Sequence, residues 1–390
     1  MLAQLYLRKN EEHRIKAGHL WVFSNEVAKL EGEAQNGDVV ELFDYRNNFL
    51  GTGFYNKNSL IAIRLLSREK IEDLDGFFKE RILRAYNLRK SLYPRRDSFR
   101  LIFSESDFMP GLIIDKYNNT YVMQVYSFGM QKNIEKIVNV LRTELKAENV
   151  FSKNEEYFRR LEGLPEEDTV YHGGSSSEVI SDGDVNYRID FKAGHKTGFY
   201  FDQADNRKFI ERITDGRTVI DSFCNSGGFG LHAAKAGARA VTFLDSSHAE
   251  VENARGNFQL NNMTCKADFI TGDVFDVFSA MLNEKRKFDV VMIDPPAFAK
   301  NKKSLPMAQK GYEKLNRMAL GLVEKGGFLV TSSCSYHLNR DSFLQIINSA
   351  AQKAGRQVQL IHFSGASLDH PRLPAMEETS YLKFAVLKVI

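Results

Sequence analysis

The stretch TVIDSFCNSGGFGLHAAKAG, from Thr218 to Gly237, decides the fold of the C-terminal half of this 390-residue chain. It begins with β-branched and apolar residues, which are typical of a buried strand. Small residues then form a turn. An apolar run with alanines comes next and indicates a helix. A strand that ends near an acid and leads through a glycine turn into a helix predicts the first unit of an open α/β sheet, where a nucleotide-like ligand binds at this turn.

Strand and helix patterns continue to alternate after this unit. The further strand candidates are AVTFLD (240–245), DFITGD (268–273), DVVMID (289–294) and FLVTSSC (328–334). Helical stretches lie between them, so the pattern predicts parallel β–α–β units in a doubly wound sheet.

The first half of the chain has different patterns. Short aromatic and β-branched runs separated by turn residues, such as VVELFDY (39–45) and LIAIRLLS (60–67), predict a small β-barrel. A helical pattern after residue 72 and then hairpin-like strands predict a mixed α+β region. We therefore predict three domains, over residues 1–71, 72–185 and 186–390.

Composition restricts the class of protein. Hydrophobic residues make up 43% of the chain and charged residues 26%, with a net charge of +3, which is ordinary for a globular protein. Three cysteines without a CxxC pair exclude a disulfide scaffold or a zinc ribbon, and nine scattered histidines give no metal site. No apolar run is long enough to span a membrane, so we expect a cytoplasmic protein with no membrane contact.

Acids follow four successive strand candidates, at Asp221, Asp245, Asp273 and Asp294. Each alone could be a helix cap or a turn residue, but four at one sheet edge are hard to explain by capping. Asp245 lies 24 residues after Asp221 and suits the two hydroxyls of a ribose, and Asp273 suits an adenine amino group. These acids suit a ligand that has hydroxyls and an amino group but needs little phosphate recognition. This pattern favours S-adenosylmethionine over NAD or ATP.

The turn before the predicted helix is the other part of this ligand site. Asn225, Gly227 and Gly228 let the backbone pass close to a ligand, and the helix offers free N–H groups. The turn lacks the GxGxxG of a dinucleotide site and the GxxxxGK[ST] of a phosphate loop.

The order of these motifs resembles the class I adenosylmethionine-dependent methyltransferases. Five segments make the likeness more specific: LRKNEEHRIKAGHLWVFSNEV (7–27), GHKTGFYFDQADNR (194–207), DPPAF (294–298), SSCS (332–335) and DHP (369–371). Together they resemble the bacterial 23S rRNA cytosine-C5 methyltransferases with an N-terminal PUA domain. The likeness covers essentially the whole chain, although relatives usually carry Lys or Arg where this chain has Ala297.

The resemblance implies an architecture and a set of partners. It implies a PUA-like RNA-binding barrel and a Rossmann-like class I domain with a seven-stranded sheet. It also implies S-adenosyl-L-methionine as the methyl donor and 23S rRNA, or a large-subunit assembly particle, as the partner. Lys196, Thr197, Gly198 and Gln203 would line the donor or base site. The oligomeric state stays open, with a homodimer as one alternative.

Cytosine chemistry explains why a cysteine is needed. C5 is too weak a nucleophile to take a methyl group directly, but addition of a thiolate to C6 makes it reactive. We assign Cys334 as this nucleophile and Asp294 as the partner of N3, because the fourth and fifth strands should be neighbours. Pro295 and Pro296 would stiffen the loop that holds the base, and Phe298 would stack on an extruded cytosine.

Other interpretations stay open at this point. The enzyme could methylate a different atom, such as an exocyclic guanine amine, and Cys334 would then be a packing residue. It could also be a non-catalytic RNA-binding factor for ribosome assembly. Cys224, beside the glycine turn, is a rival nucleophile. We expect RNA to contact the basic run Arg81–Arg100 and the lysine-rich loop 300–310.

Overall fold

The computed structural model describes residues 2–191, 197–299 and 301–390, and the chain divides into two units. The first contains Met1–Ile180, Ile189–Phe201 and Leu368–Thr379; the second contains Ser181–Arg188, Asp202–Ser367 and Ser380–Ile390. The chain therefore passes between the units several times. The finer division at residues 71/72 and 185/186 stays a prediction.

The N-terminal part of the first unit is a six-stranded sheet. Its elements are β1 (Ala3–Leu7), α1 (His13–Lys16), β2 (Trp21–Phe23), β3 (Val27–Glu31), β4 (Val39–Phe43), β5 (Phe49–Tyr55) and β6 (Ile61–Ser67). The strand order is β2-β6-β5-β4-β1-β3, and β1 and β4 are parallel while the other pairs are antiparallel. Alternating apolar residues supply its core, including Leu5, Val40 and Ile63. The prediction of a small barrel-like sheet is confirmed.

The rest of the first unit has a mixed α+β structure. Its elements are α2 (Leu74–Leu92), β7 (Phe99–Phe103), β8 (Leu112–Tyr117), β9 (Thr120–Val125), α3 (Phe128–Lys132), α4 (Ile134–Thr143), β10 (Asn149–Ser152), α5 (Glu156–Glu162) and β11 (Val170–His172). The strands form a sheet in the order β11-β10-β9-β8-β7. Asp73 caps α2 through the N–H groups of Asp75 and Gly76, and Phe78 and Ile82 are the buried side of this helix.

Part of the basic run Arg81–Arg100 is internal, which corrects the expectation that the whole run contacts RNA. Arg89 is 0% exposed, and its guanidinium donates to both carboxylate oxygens of Asp107 at 2.5 and 2.7 Å. Arg100 likewise makes a bidentate contact with the carboxylate of Asp115, at 2.7 and 2.9 Å. The buried carboxylate of Asp369, in the DHP segment, accepts the Arg100 N–H at 2.9 Å. These groups stabilise the fold of the first unit.

The second unit contains the predicted α/β sheet. After the hairpin β12 (Ser177–Asp182) and β13 (Val185–Asp190), the elements are α6 (Ala204–Ile210), β14 (Thr218–Ser222), α7 (Gly228–Lys235), β15 (Ala240–Asp245), α8 (His248–Leu260), β16 (Lys266–Thr271), α9 (Val274–Asn283), β17 (Phe288–Ile293), α10 (Leu305–Leu322), β18 (Val323–Ser333), α11 (Arg340–Lys353), β19 (Val358–Ser364) and β20 (Lys383–Val389). The order β16-β15-β14-β17-β18-β20-β19 confirms seven strands, of which β20 is antiparallel to its neighbours.

Helices cover both faces of this sheet. On one face, Phe278 of α9, Leu315 of α10 and Phe343 of α11 pack with Leu244 in a single apolar core. Phe243, the residue before Leu244, points to the opposite face, where α7 and α8 contact β15. The doubly wound arrangement is therefore confirmed. In the described part of the chain, no helix has both the length and the apolar character that a membrane crossing requires.

Candidate active site

The carboxyl ends of the parallel strands bring acids to one edge of the sheet. Asp221 lies in β14 and is 1% exposed, and Asp245 ends β15. Asp294 directly follows β17, and the pairing of Ser222 with Ile293 puts it beside the end of β14. This edge is where open α/β sheets bind their ligands.

The turn between β14 and α7 has a strained backbone. Phe223, Asn225 and Gly227 all have positive φ, at 61°, 48° and 90°. Left-handed backbone is unfavourable for the two non-glycine residues, and such strain is concentrated at ligand sites. The Asn225 N–H donates to Asp245 at 3.0 Å, which fixes the turn against the end of β15.

Asp221 supports the start of α7 and has an unusual pKa. Its carboxylate accepts the N–H of Gly230 at 2.7 Å. Burial is the main cause that raises the pKa of Asp221 to about 7; the charges of Asp294 and Asp245 add to the shift, and the Gly230 hydrogen bond opposes it. A cationic ligand at this edge would favour the ionised form of these acids.

Asp245 keeps free acceptor capacity, whereas Asp273 is a helix cap. The two oxygens of Asp245 accept the N–H groups of Asn225 and Ser247, at 3.0 and 2.9 Å. A carboxylate can accept about four hydrogen bonds, so two hydroxyls can still be bound. Asp273 is exposed and caps α9 through the N–H groups of Phe275 and Asp276. Capping accounts for Asp273, and its contact with an adenine amine stays a prediction.

Asp294 is held by side chains from two other elements. The amide of Gln203 donates to Oδ2 at 3.1 Å, and the hydroxyl of Ser332 donates to Oδ1. Burial is the main cause that raises the pKa of Asp294 to about 6; the charge of Asp202 adds to it, and the bonds from Ser332 and Gln203 oppose it. A carboxyl group with this pKa can carry a proton near neutral pH.

Cys334 directly follows β18, the strand that pairs with β17, as the topology predicted. The pairing of Ile293 with Thr331 puts Ser332 level with Asp294, and Cys334 follows two residues later, directly after β18. Cys334 is half-buried and keeps its thiol instead of forming a disulfide. Cys334 and Asp294 therefore follow the adjoining ends of two neighbouring strands.

Ser335 anchors the loop that carries Cys334. Its hydroxyl lies 2.9 Å from that of Tyr312 in α10 and accepts the N–H of Ala299 at 3.2 Å. Its carbonyl accepts the ammonium group of Lys383 at 2.7 Å. This network ties the Cys334 loop to the DPPAF segment. No role for Ser332, Ser335, Tyr312 or Lys383 was predicted from the sequence.

The DPPAF segment is partly accessible. Pro295 is buried and Pro296 is exposed, and Phe298 is half-buried with its ring 4.6 Å from the ring of Tyr312. Because Phe298 already packs against Tyr312, its stacking on a base stays a prediction.

Three further residues were predicted to line the donor or base site. Lys196 lies outside the described residues. Thr197 and Gly198 belong to the first unit, where the Thr197 hydroxyl donates to Asp115. Their assignment to the donor or base site stays a prediction.

The rival nucleophile Cys224 has an unfavourable environment. Burial is the main cause that raises the pKa of the Cys224 thiol, and the charges of Asp221 and Asp245 raise it further. A thiol of this kind forms little of the reactive thiolate. Within the described ranges, no group of His, Cys, Asp or Glu side chains could hold a metal ion.

Comparisons with known proteins agree with this geometry. A PUA-like domain family matches residues 5–68, and an S-adenosylmethionine-dependent methyltransferase family matches residues 168–388. The ribosomal RNA large subunit methyltransferase I of Vibrio campbellii is 37% identical over 397 residues, with 100% of each chain covered.

Solved structures show the same fold. A methyltransferase named SMU.776, complexed with SAH, has a TM-score of 0.85 at 22% identity, and a SAM-dependent methyltransferase from Streptococcus mutans has a TM-score of 0.83 at 21% identity. In both comparisons 100% of each chain is covered. The chain therefore belongs to the family of S-adenosylmethionine-dependent methyltransferases with a PUA-like domain, in the group whose members are named ribosomal RNA large subunit methyltransferase I.

Proposed function

We propose that this enzyme methylates C5 of a cytosine in the 23S rRNA of the large ribosomal subunit, through a covalent bond between Cys334 and C6. The name of the Vibrio campbellii relative supports rRNA as the substrate. The observation that carries the cytosine assignment is the position of Cys334 and Asp294 at the adjoining ends of β18 and β17.

The acidic edge suits the methyl donor, which supplies an electrophilic methyl group on a sulfonium cation. Asp221 and Asp294 have raised pKa values because they are buried near other carboxylates, and a nearby cation relieves that repulsion. The spare acceptor positions of Asp245 would bind the ribose hydroxyls. The left-handed backbone at Asn225 and Gly227 would let the donor lie close to the turn.

Each side chain has a separate task in the proposed reaction. The Cys334 thiolate adds to C6, and Asp294 gives a proton or a strong hydrogen bond to N3 as charge develops there. With a pKa of about 6, about a tenth of Asp294 is protonated at pH 7, so it can act as an acid at neutral pH. C5 then takes the methyl group from the donor, and N3 returns its proton to Asp294. Transfer of the C5 proton to a base, with elimination of the Cys334 thiolate, restores the aromatic ring.

Donor affinity should rise with pH. Asp221 and Asp294 are largely neutral below pH 6 and ionise as the pH rises through about 6 and 7, whereas the sulfonium charge stays constant. We expect the dissociation constant of S-adenosylmethionine to fall about tenfold between pH 5.5 and 8, because each new charge attracts the cation. Isothermal titration calorimetry measures this. Asp221→Asn should weaken the dependence of this dissociation constant on pH. A wild-type affinity that does not change with pH would contradict the account.

Activity on RNA should decrease steeply with salt. Exposed basic residues of the run Arg81–Arg100, such as Arg84 and Arg95, would bind phosphates and release counterions. For about four such contacts, kcat/KM should fall roughly a hundredfold between 50 and 200 mM KCl. Donor affinity, measured in the same buffers, is the control and should change much less. A flat response of kcat/KM would exclude phosphate contacts of this kind.

Mapping the product tests the proposed function. Ribosomal RNA from cells with and without this protein is digested, and mass spectrometry locates each methylated nucleotide. We expect one 5-methylcytosine in 23S rRNA to be missing without the protein. A missing methyl group on a guanine amine would support the alternative methyltransferase reaction, and unchanged rRNA would support a non-catalytic factor.

A further inference from the structure

Lys383 is a buried cation at the end of the strand beside the Cys334 loop. It begins β20, where it pairs with Ser333, the last residue of β18. Lys383 is only 6% exposed, and its ammonium group donates to the carbonyls of Ser335 and Tyr381 at 2.7 and 2.6 Å. The positively charged group of Lys383 therefore contacts the backbone of Ser335, the residue directly after Cys334.

This charge has no acidic partner in the part of the chain that the structure describes, since no carboxylate there forms an ion pair with Lys383. A buried ammonium without a counter-ion destabilises a fold, so its presence needs an explanation beyond stability. Burial lowers the pKa of Lys383 to about 8, and the titratable group that favours its charged form is Cys334. At pH 7 the amine is still mostly protonated.

Three ionisable groups around this loop do not favour a thiolate. Asp294, directly after β17, and Asp202, before α6, are carboxylates, and the latter accepts the Tyr381 hydroxyl at 2.5 Å. Tyr312 on α10 has a raised pKa, mainly because it is buried, and stays neutral. Lys383 is a buried cation whose ammonium group contacts the backbone next to Cys334, so its charge can offset a negative charge on that thiol.

We propose that Lys383 is a positioning residue that holds the Cys334 loop through the Ser335 carbonyl and stabilises the Cys334 thiolate by its charge. The proposal rests on the nucleophilic role proposed above for Cys334. It adds a specific cause for the reactivity of this thiol, because a nearby lysine is one of the features that lower the pKa of a cysteine.

The reactivity of Cys334 tests the proposal without RNA or methyl donor. Iodoacetamide labelling is followed from pH 5.5 to 9.5, with the labelled peptide of each cysteine resolved by mass spectrometry. Lys383→Met removes the charge and keeps an apolar chain of similar length. For this variant we expect the labelling rate at Cys334 to fall about tenfold at pH 7, and the midpoint of its pH dependence to rise by about one pH unit. Lys388→Met, on the same strand, is the matched control and should retain the wild-type profile.

Lys383→Arg separates charge from packing. It should keep the midpoint of Cys334 near that of the wild type, and a shift as large as that of Lys383→Met would overturn the proposal. An unchanged profile in Lys383→Met would also overturn it, as would a lower melting temperature with unchanged thiol reactivity. These outcomes are independent of the RNA reaction. A reactive Cys334 that forms no adduct with cytosine would refute the proposed function and leave the effect of Lys383 intact.

Discussion

Replacement of Cys334 by alanine should reduce methyl transfer to RNA by about 10⁴-fold or more, and leave the affinity for S-adenosylmethionine within about twofold. Without the thiolate, C5 of cytosine stays too weak a nucleophile to accept the methyl group. The donor is expected to contact Asp221, Asp245 and the strained turn instead, so its binding should be retained. Single-turnover assays with a radiolabelled methyl group and calorimetry measure the two quantities.

Cys265→Ala is the matched control for this experiment. Cys265 is half-buried and precedes β16, away from the strand ends that carry Asp294 and Cys334. The control should retain wild-type turnover. A Cys334→Ala enzyme with turnover within tenfold of wild type would contradict covalent catalysis and favour methylation of another atom, such as a guanine amine.

Replacement of Asp294 by asparagine should have the second-largest effect, a loss of about 10³-fold in the rate of methyl transfer. Asparagine has nearly the same shape but cannot give a proton to N3. Its amide can still contact Gln203 and Ser332, so the fold should not change. Donor affinity should weaken by less than tenfold, because one of the neighbouring negative charges is lost.

Asp268→Asn is the control for this substitution, since Asp268 is exposed on β16. Its turnover should equal that of the wild type. If Asp294→Asn lowered donor affinity in proportion to the rate of methyl transfer, Asp294 would be a donor-binding residue alone, and the proposed role at N3 would be wrong.

The sequence predicted the parts of the site that depend on strand order. Parallel strands end at one edge, so the spacing of Asp221, Asp245 and Asp294 after three strand patterns was enough to bring them together. The neighbouring positions of Asp294 and Cys334 followed from the same rule. The strained backbone at Phe223 was not predicted, because a positive φ at a bulky residue has no sequence signal.

Features that depend on tertiary contacts could not be predicted. Lys383 lies 49 residues after Cys334, and nothing in its local sequence indicates burial. Arg89 and Arg100 looked like surface charges, yet each has a carboxylate partner that only the folded chain brings near. The serines of the SSCS segment had a signal in the motif itself, but their partners Asp294 and Tyr312 come from distant elements.

Covalent trapping tests the central claim most directly. A 23S rRNA fragment with 5-fluorocytosine at the target position is incubated with the enzyme and S-adenosylmethionine. Fluorine cannot leave C5 as a proton does, so the adduct should persist after denaturation, with the peptide that contains Cys334 joined to the methylated base. Cys334→Ala should give no adduct. A wild-type enzyme that releases a methylated product without a covalent complex, or that crosslinks through Cys224, would contradict the account.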